Sequence, residues 1–345
     1  MDAEEEFRLL AAAWDWGFVQ TSCQIRLRNL PMEPKRTQSG FAIESAVMTN
    51  AAATSEEDAT SSPPLQTQAQ SAAELYLALL KDVLLRINPP ERYREFPRSK
   101  LKRNALASFA YPRLQSFLRR FDLALCSTKL DRDQRESGSD WPSEADSMIG
   151  VARLNNLHDC VRTVLEDGVP GDFIETGVWR GGACIFMRAA LEAYGDRQRT
   201  VWVADSFEGL PRPGKDYPAD IASGFDFYKF NDVLGVSLEQ VKSNFKRYGL
   251  LDSRVQFLKG WFCDTLPGAP VQRLAILRLD GDMYGSTIEA LESLFPKVSI
   301  GGFIIVDDYV AIPECKRAVT DYRAKHNITD TIIEIDRDGA YWRKS

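Results

Sequence analysis

Two acidic pairs, Asp280-Gly281-Asp282 and Asp307-Asp308, each follow directly on an apolar run, 274–279 and 302–306. Carboxylates meeting at one sheet edge suit a hard divalent cation such as Mg2+, which prefers octahedral oxygen ligands and keeps positions for water or substrate. Asp280, Asp307 and Asp308 are the candidate ligands. Side chains alternate along extended backbone, so Asp280 and Asp282 point to the same side, with Gly281 leaving room between them. Asp282 is then free to act as a general base, removing the proton of a hydroxyl whose pKa a neighbouring cation has lowered. Turn and cap chemistry explains one acidic pair. Two pairs at the carboxyl ends of successive strands, the edge where open α/β sheets bind ligands, point to a site. A histidine base is not expected, because the chain has only His158 and His326 and both fall on predicted helices.

A second constellation lies upstream. The segment FIETGVWRGG, 173–182, runs from an apolar strand through a glycine-rich turn into a helix, which exposes backbone N–H groups to a ligand. It lacks the G-x-G-x-x-G spacing of a pyrophosphate-binding turn. Glu175, ahead of the glycines, would repel a diphosphate but accept hydrogen bonds from an ammonium group, which favours S-adenosylmethionine over NAD. Asp205 ends the next predicted strand, where an acid can hold both ribose hydroxyls.

These residues need a parallel sheet to bring them together, and the chain beyond Gly150 alternates helix and strand in the manner that builds one. Strands are expected over 172–176, 200–204, 255–258, 274–279 and 303–306, with a closing antiparallel hairpin at 331–335 and 340–343. Helices are expected over 154–167, 182–194 and 237–248, the last opened by a capping box of Ser237 and Gln240. A long loop spans 206–235. Upstream, Leu75, Tyr76, Leu79, Leu80, Val83, Leu84 and Ile87 predict one apolar helical face before Asn88-Pro89-Pro90 stops it. The stretch 91–139 mixes basic residues with aromatics and reads as a solvated face on an inserted helical segment. The polar tract 51–64 cannot bury enough apolar surface to order itself, so 1–70 is expected to be a disordered extension with a short helix over 7–18. The division is thus an extension to 70, a helical cap over 71–150 and a sheet domain over 151–345.

Composition narrows the partners. A net charge of −6 argues against nucleic acid, whose binding rests on Lys and Arg neutralising phosphates. The six cysteines show neither metal-ligand spacing nor a disulfide framework. No secretory signal and no apolar run of membrane length is seen, so a cytoplasmic protein without membrane insertion and with a small-molecule ligand is expected.

The stretches DWP (140–142), SMIG (147–150), GVPGDFIETGVWRGGA (168–183), ADSFEGLP (204–211), KGWF (259–262), DTLP (264–267), LRLDGDMY (277–284) and VDDY (306–309) are specific. Together, over about 72–345, the chain resembles the macrocin O-methyltransferase family, Mg2+-dependent enzymes that methylate sugar hydroxyls of macrolide and aminocoumarin antibiotics. The resemblance implies a Rossmann-like, seven-stranded methyltransferase sheet with added N-terminal helices. It implies S-adenosylmethionine over the turn of Glu175, Thr176, Gly177 and Gly181, with Asp205 and Ser206 at the next strand tip. Trp261, Phe262 and Asp264 would line the adenine, and Ser147, Met148 and Ile149 would close over the methionine end. Mg2+ would sit at Asp280, Asp307 and Asp308, with Asp282 as the base, a glycosylated small molecule as acceptor and a homo-oligomer as the assembly. The sequence departs from the pattern in the long basic 91–139 stretch, in Cys263 where Lys is expected, and in Gly285 where an acid is usual. Two other readings stay open at this point: a metal-dependent nucleotide-sugar glycosyltransferase and a noncatalytic S-adenosylmethionine-binding partner protein.

Overall fold

The computed structural model describes residues 23–27, 65–95, 105–121, 123–127, 131–224 and 226–345. The expected helix over 7–18 and the polar tract 51–64 lie outside the described residues. Two compact units are present, one comprising 1–69 and 93–130, the other 70–92 and 131–345. The first contains a three-stranded antiparallel sheet of β1 (Cys23–Leu27), β2 (Arg94–Glu95) and β3 (Leu123–Ser127), in the order β1-β3-β2, and a helix Ala105–Arg119. The region expected to be a helical cap over 71–150 thus also contributes two strands, and a third comes from within 1–70.

The second unit is built on seven strands: β4 (Asp172–Thr176), β5 (Val201–Asp205), β6 (Val255–Lys259), β7 (Leu274–Leu279), β8 (Val298–Val306), β9 (Ile333–Glu334) and β10 (Ala340–Arg343). Their order is β6-β5-β4-β7-β8-β10-β9, with β10 antiparallel to β8 and β9 and the remaining neighbours parallel. This is the Rossmann-like, seven-stranded sheet that the family resemblance implies. Sequence order reverses between β4 and β7, and such a switch point opens a crevice at the carboxyl edge. Period-two alternation divides the core between the two faces. Phe173, Val203 and Ile305 pack on one face with the helices Gly150–Glu166 and Gly182–Ala193. Ile174, Leu277 and Ile304 pack on the other with Tyr284–Leu294 and Pro313–Lys325.

Some local expectations change. The helix Leu65–Leu84 ends ahead of Ile87, the last residue of the expected face, and it buries Leu77, Leu80 and Leu84, whereas Leu75 is 71% and Leu79 58% exposed. Apolar residues there are dense enough to draw two overlapping helical stripes, and packing selects the second. Ser237 does cap its helix, accepting from Gln240 N at 3.2 Å, while the Gln240 side chain turns away to Asn244 at 2.9 Å. Only half of the capping box is formed. His158 is buried and bonded to Tyr194 Oη at 2.6 Å, and burial lowers its pKa, as for a packing residue. Among the described residues no helix is long and apolar enough to cross a membrane.

Candidate functional site

The site is a consequence of strand register. Thr176 pairs with Leu279, and Leu279 with Val306, so β4, β7 and β8 end level with one another. The ladder continues one residue further. Asp280 N donates to Thr176 O and Asp307 N to Leu279 O, both at 2.9 Å, while Gly177 N reaches Ala204 O at 2.9 Å. Gly177, Asp280 and Asp307 thereby stand side by side at the switch point. The approach is close enough to demand glycine: Gly177 has φ 84°, and a Cβ there would lie 1.7 Å from the Asp280 carbonyl oxygen. Gly177→Ala is expected to destabilise the protein by about 2–6 kcal/mol, the sum of left-handed strain and overpacking. A urea melt within about 1 kcal/mol of the parent would show that the backbone yields instead.

Carboxylate oxygens of Asp280, Asp307 and Asp308 all lie within 4.8 Å of one another. Asp308 Oδ2 is buried without a hydrogen-bond partner. Burial first, and then the neighbouring acids, push the Asp280 and Asp308 carboxyls well above the usual range. Burial, with Asp307, pushes Asp282 up to about 7. Crowded, partly buried carboxyls, one with a buried oxygen lacking any donor, form the environment that a hard cation relieves, so this donor set fits Mg2+. Asp282 lies just beyond, in the left-handed region at φ 58°. A non-glycine residue there costs about 1–3 kcal/mol and persists only where its surroundings dictate it.

Beneath the acids is a cation that the sequence reading missed. Arg278 interrupts the otherwise apolar β7, opposite Glu175 on β4, and its side chain is 1% exposed. Alternation puts it on the same face as Asp280, two residues on. Its guanidinium donates to Glu175, to Asp280 at 2.8 Å and to Asp307. The second Asp307 oxygen accepts from Arg153 Nη1 at 2.5 Å, and Arg153 also pairs with Asp336 at 3.2 Å and Asp338 at 3.3 Å. A basic residue inside an apolar strand was the available signal, because a buried charge must be paired.

A cavity of about 580 Å³ opens on this edge. Asp280, Asp282, Asp307 and Asp308 line it, together with Met148, Gly177, Asp205, Ser206, Trp261 and Phe262. Ser147, Met148 and Glu175 border a recess of about 20 Å³ beside it, shared with Gly182 and Asp280. The Glu175 carboxyl is buried below the turn, bonded to Arg278 and, at 2.8 Å, to Cys184 Sγ. Thr176 is buried, its hydroxyl 3.5 Å from Arg278 O, and Gly181 at φ 84° opens the next helix. Asp205 braces the glycine turn, accepting from Val178 N and Phe207 N at 2.7 Å each. Ser206 Oγ donates to Gly209 O at 2.7 Å. Asp264 has an exposed side chain and is not among the cavity-lining residues, unlike its neighbours Trp261 to Cys263.

The sequence profile of the family described as Macrocin-O-methyltransferase (TylF) matches residues 73–344. The chain belongs to this family. It is 51% identical over 274 residues, 79% of this chain and 94% of the relative, to 8-demethyl-8-(2,3-dimethoxy-alpha-L-rhamnosyl)-tetracenomycin-C 4'-O-methyltransferase of Streptomyces olivaceus. It is 56% identical over 214 residues to mycinamicin III 3''-O-methyltransferase of Micromonospora griseorubida, covering 62% of this chain and 84% of that one. Among solved structures, the O-methyltransferase NovP is similar with a TM-score of 0.67 and 45% identity, over 79% of this chain and 99% of that one. This member of the macrocin O-methyltransferase family is accordingly an S-adenosylmethionine-dependent O-methyltransferase.

Proposed function

We propose that this chain methylates a sugar hydroxyl of a glycosylated small molecule, with Mg2+ held by Asp280, Asp307 and Asp308 and with Asp282 as the general base. The observation that carries the reading is one cavity wall shared by the glycine turn, the three clustered carboxylates and Asp282. The names of the tetracenomycin and mycinamicin relatives support a glycosylated acceptor. S-adenosylmethionine, bound along the turn and Asp205, would supply the methyl group. A divalent cation at the three aspartates would supply positive charge beside the acceptor oxygens and favour the ionised hydroxyl. Asp282 takes the acceptor's proton, and its place on the cavity wall beside the three clustered carboxylates puts a base next to the acceptor oxygens. Arg278 and Arg153 fix Asp280 and Asp307 beforehand, so little reorganisation remains when the reactants meet.

The test is transfer of labelled methyl from S-adenosylmethionine to a panel of deoxysugar glycosides with neighbouring hydroxyls, with Mg2+ or with chelator. Label is expected on a sugar oxygen, and chelation is expected to slow transfer by at least about 100-fold, the equivalent of a few kcal/mol of charge stabilisation. Transfer indifferent to chelation removes the metal from the reading, and label confined to the aglycone removes the sugar.

A second prediction concerns the metal-free protein. A carboxyl whose folded pKa is raised stabilises the fold below its unfolded value, about 4, and loses that contribution as pH rises through the folded value. For Asp282 the upper limit is about 7. The cluster therefore costs most stability when fully ionised. Added Mg2+ should raise the melting temperature more at about pH 8 than at about pH 5.5, because binding must displace protons at the lower pH. Equal rises at the two pH values would count against a metal at these acids.

A further inference from the structure

The helix Tyr284–Leu294 begins two residues after Asp282 and receives no side-chain cap from its own N-cap residue, Met283. Helix starts leave their first amides without intrahelical partners. Here the partner comes from the 206–224 segment. Asp220, buried, accepts from Tyr284 N at 2.7 Å through Oδ1 and from Gly285 N at 2.9 Å through Oδ2. A second contact adjoins the first. Tyr217 Oη donates to Glu289 Oε1 at 2.9 Å, and the Tyr217 ring occupies the space beside Gly285, where a Cβ would meet Tyr217 Cδ2 at 2.5 Å. Tyr217, Asp220, Gly285 and Glu289 all line the cavity that holds Asp282.

We propose that Asp220 and Tyr217 form a latch by which the 206–224 segment both walls the acceptor side of the cavity and sets the position of Asp282. Asp282 sits at φ 58° in a tight turn in which Met283 N reaches Gly281 O at 2.5 Å. The helix start on its carboxyl side anchors such a turn, and the first two amides of that helix are the ones Asp220 binds. The charge sign also suits, since a carboxylate is favoured at the positive end of a helix. The neck of the segment is already clipped, with Asn231 Oδ1 accepting from Leu210 N at 2.9 Å and Asn231 Nδ2 donating to Leu210 O at 2.8 Å. The latch is what ties the stretch between to the helix after the base. Gly285 is required because any side chain there displaces the Tyr217 ring. Asp220 is a positioning residue, and Tyr217 with Gly285 sets the acceptor space.

The role assigned to Asp282 rests on the proposed function, so the test reads the latch in two independent ways. Asp220→Ala, Tyr217→Phe and Gly285→Val are compared with the parent in limited proteolysis, S-adenosylhomocysteine calorimetry and methyl-transfer kinetics. Asp220→Ala is expected to speed cleavage within 211–224 by at least about tenfold and lower kcat by about 10–100-fold, with S-adenosylhomocysteine Kd within about threefold. Gly285→Val is expected to raise acceptor KM more than it lowers kcat, and Tyr217→Phe to do the same more weakly. Unchanged cleavage in Asp220→Ala and Gly285→Val overturns the latch whether or not a sugar acceptor is found. Faster cleavage with unchanged kcat overturns the positioning of Asp282. A kcat loss matched by an equal loss of S-adenosylhomocysteine binding overturns it too, as general destabilisation. A parent enzyme that methylates no sugar overturns the acceptor reading while leaving the latch to be judged by cleavage.

Discussion

Asp282→Asn is expected to lower kcat for methyl transfer by about 10²–10⁴-fold, the range that a positioned general base contributes. The amide keeps the size and the left-handed conformation, which Asn tolerates as well as Asp, so folding and S-adenosylhomocysteine binding should stay near parental values. Loss of charge, with geometry kept, is then the single change. The companion variant is Asp308→Asn, whose parent carboxylate belongs to the cluster of three and keeps one buried oxygen without a partner. If Asp308 is a ligand and Asp282 a base, the Asp308 variant recovers activity as Mg2+ is raised and the Asp282 variant does not. A loss below tenfold for Asp282→Asn would move the base elsewhere. Recovery of that variant by Mg2+ would make Asp282 a ligand.

The parts of this site that could be read in the sequence share one property: their meaning is local. Strands 172–176 and 274–279 each hold a short apolar stretch, Phe173-Ile174 and Leu274 to Leu277, close to glycine or acid, and they form as expected. The β8 strand starts at Val298, five residues before the expected 303, because Ser299, Gly301 and Gly302 interrupt the apolar signal where the strand shifts register against β7, with Gly301 at φ 81°. The four aspartates at the ends of β7 and β8 are legible because register between neighbouring parallel strands aligns the residues just past each run. Arg153 lies 154 positions from Asp307, and Asp220 lies 64 from Tyr284. No periodicity or motif links residues so far apart. The same holds for Asp205: its place at a strand tip was legible, but its oxygens are aimed at Val178 N and Phe207 N by a turn whose shape the residue types do not specify. Arg278 was the exception that could have been found, since a lone charge in a buried strand announces partners on the adjacent strands.

Arg278→Met should be the most destabilising change among the charged residues of the site. The parent guanidinium, 1% exposed, donates to Glu175, Asp280 and Asp307, and removing one partner of a buried ionic group costs about 3–5 kcal/mol because the remaining charges stay buried. For a unit of this size that corresponds to a fall of about 6–20 °C in melting temperature. Arg278→Lys keeps the charge but cannot form the forked contacts, so an intermediate fall is expected. Two further measurements separate charge from packing. Adding Glu175→Gln to Arg278→Met removes one of the acids left unpaired, and should return part of the lost stability if charge is the cause. At about pH 8, Mg2+ should raise the melting temperature of Arg278→Met by more than that of the parent, because an ion at Asp280 and Asp307 supplies the positive charge that the methionine lacks. A variant that melts within about 3 °C of the parent, with the same response to Mg2+, would mean that the acids protonate readily and need no cation beneath them.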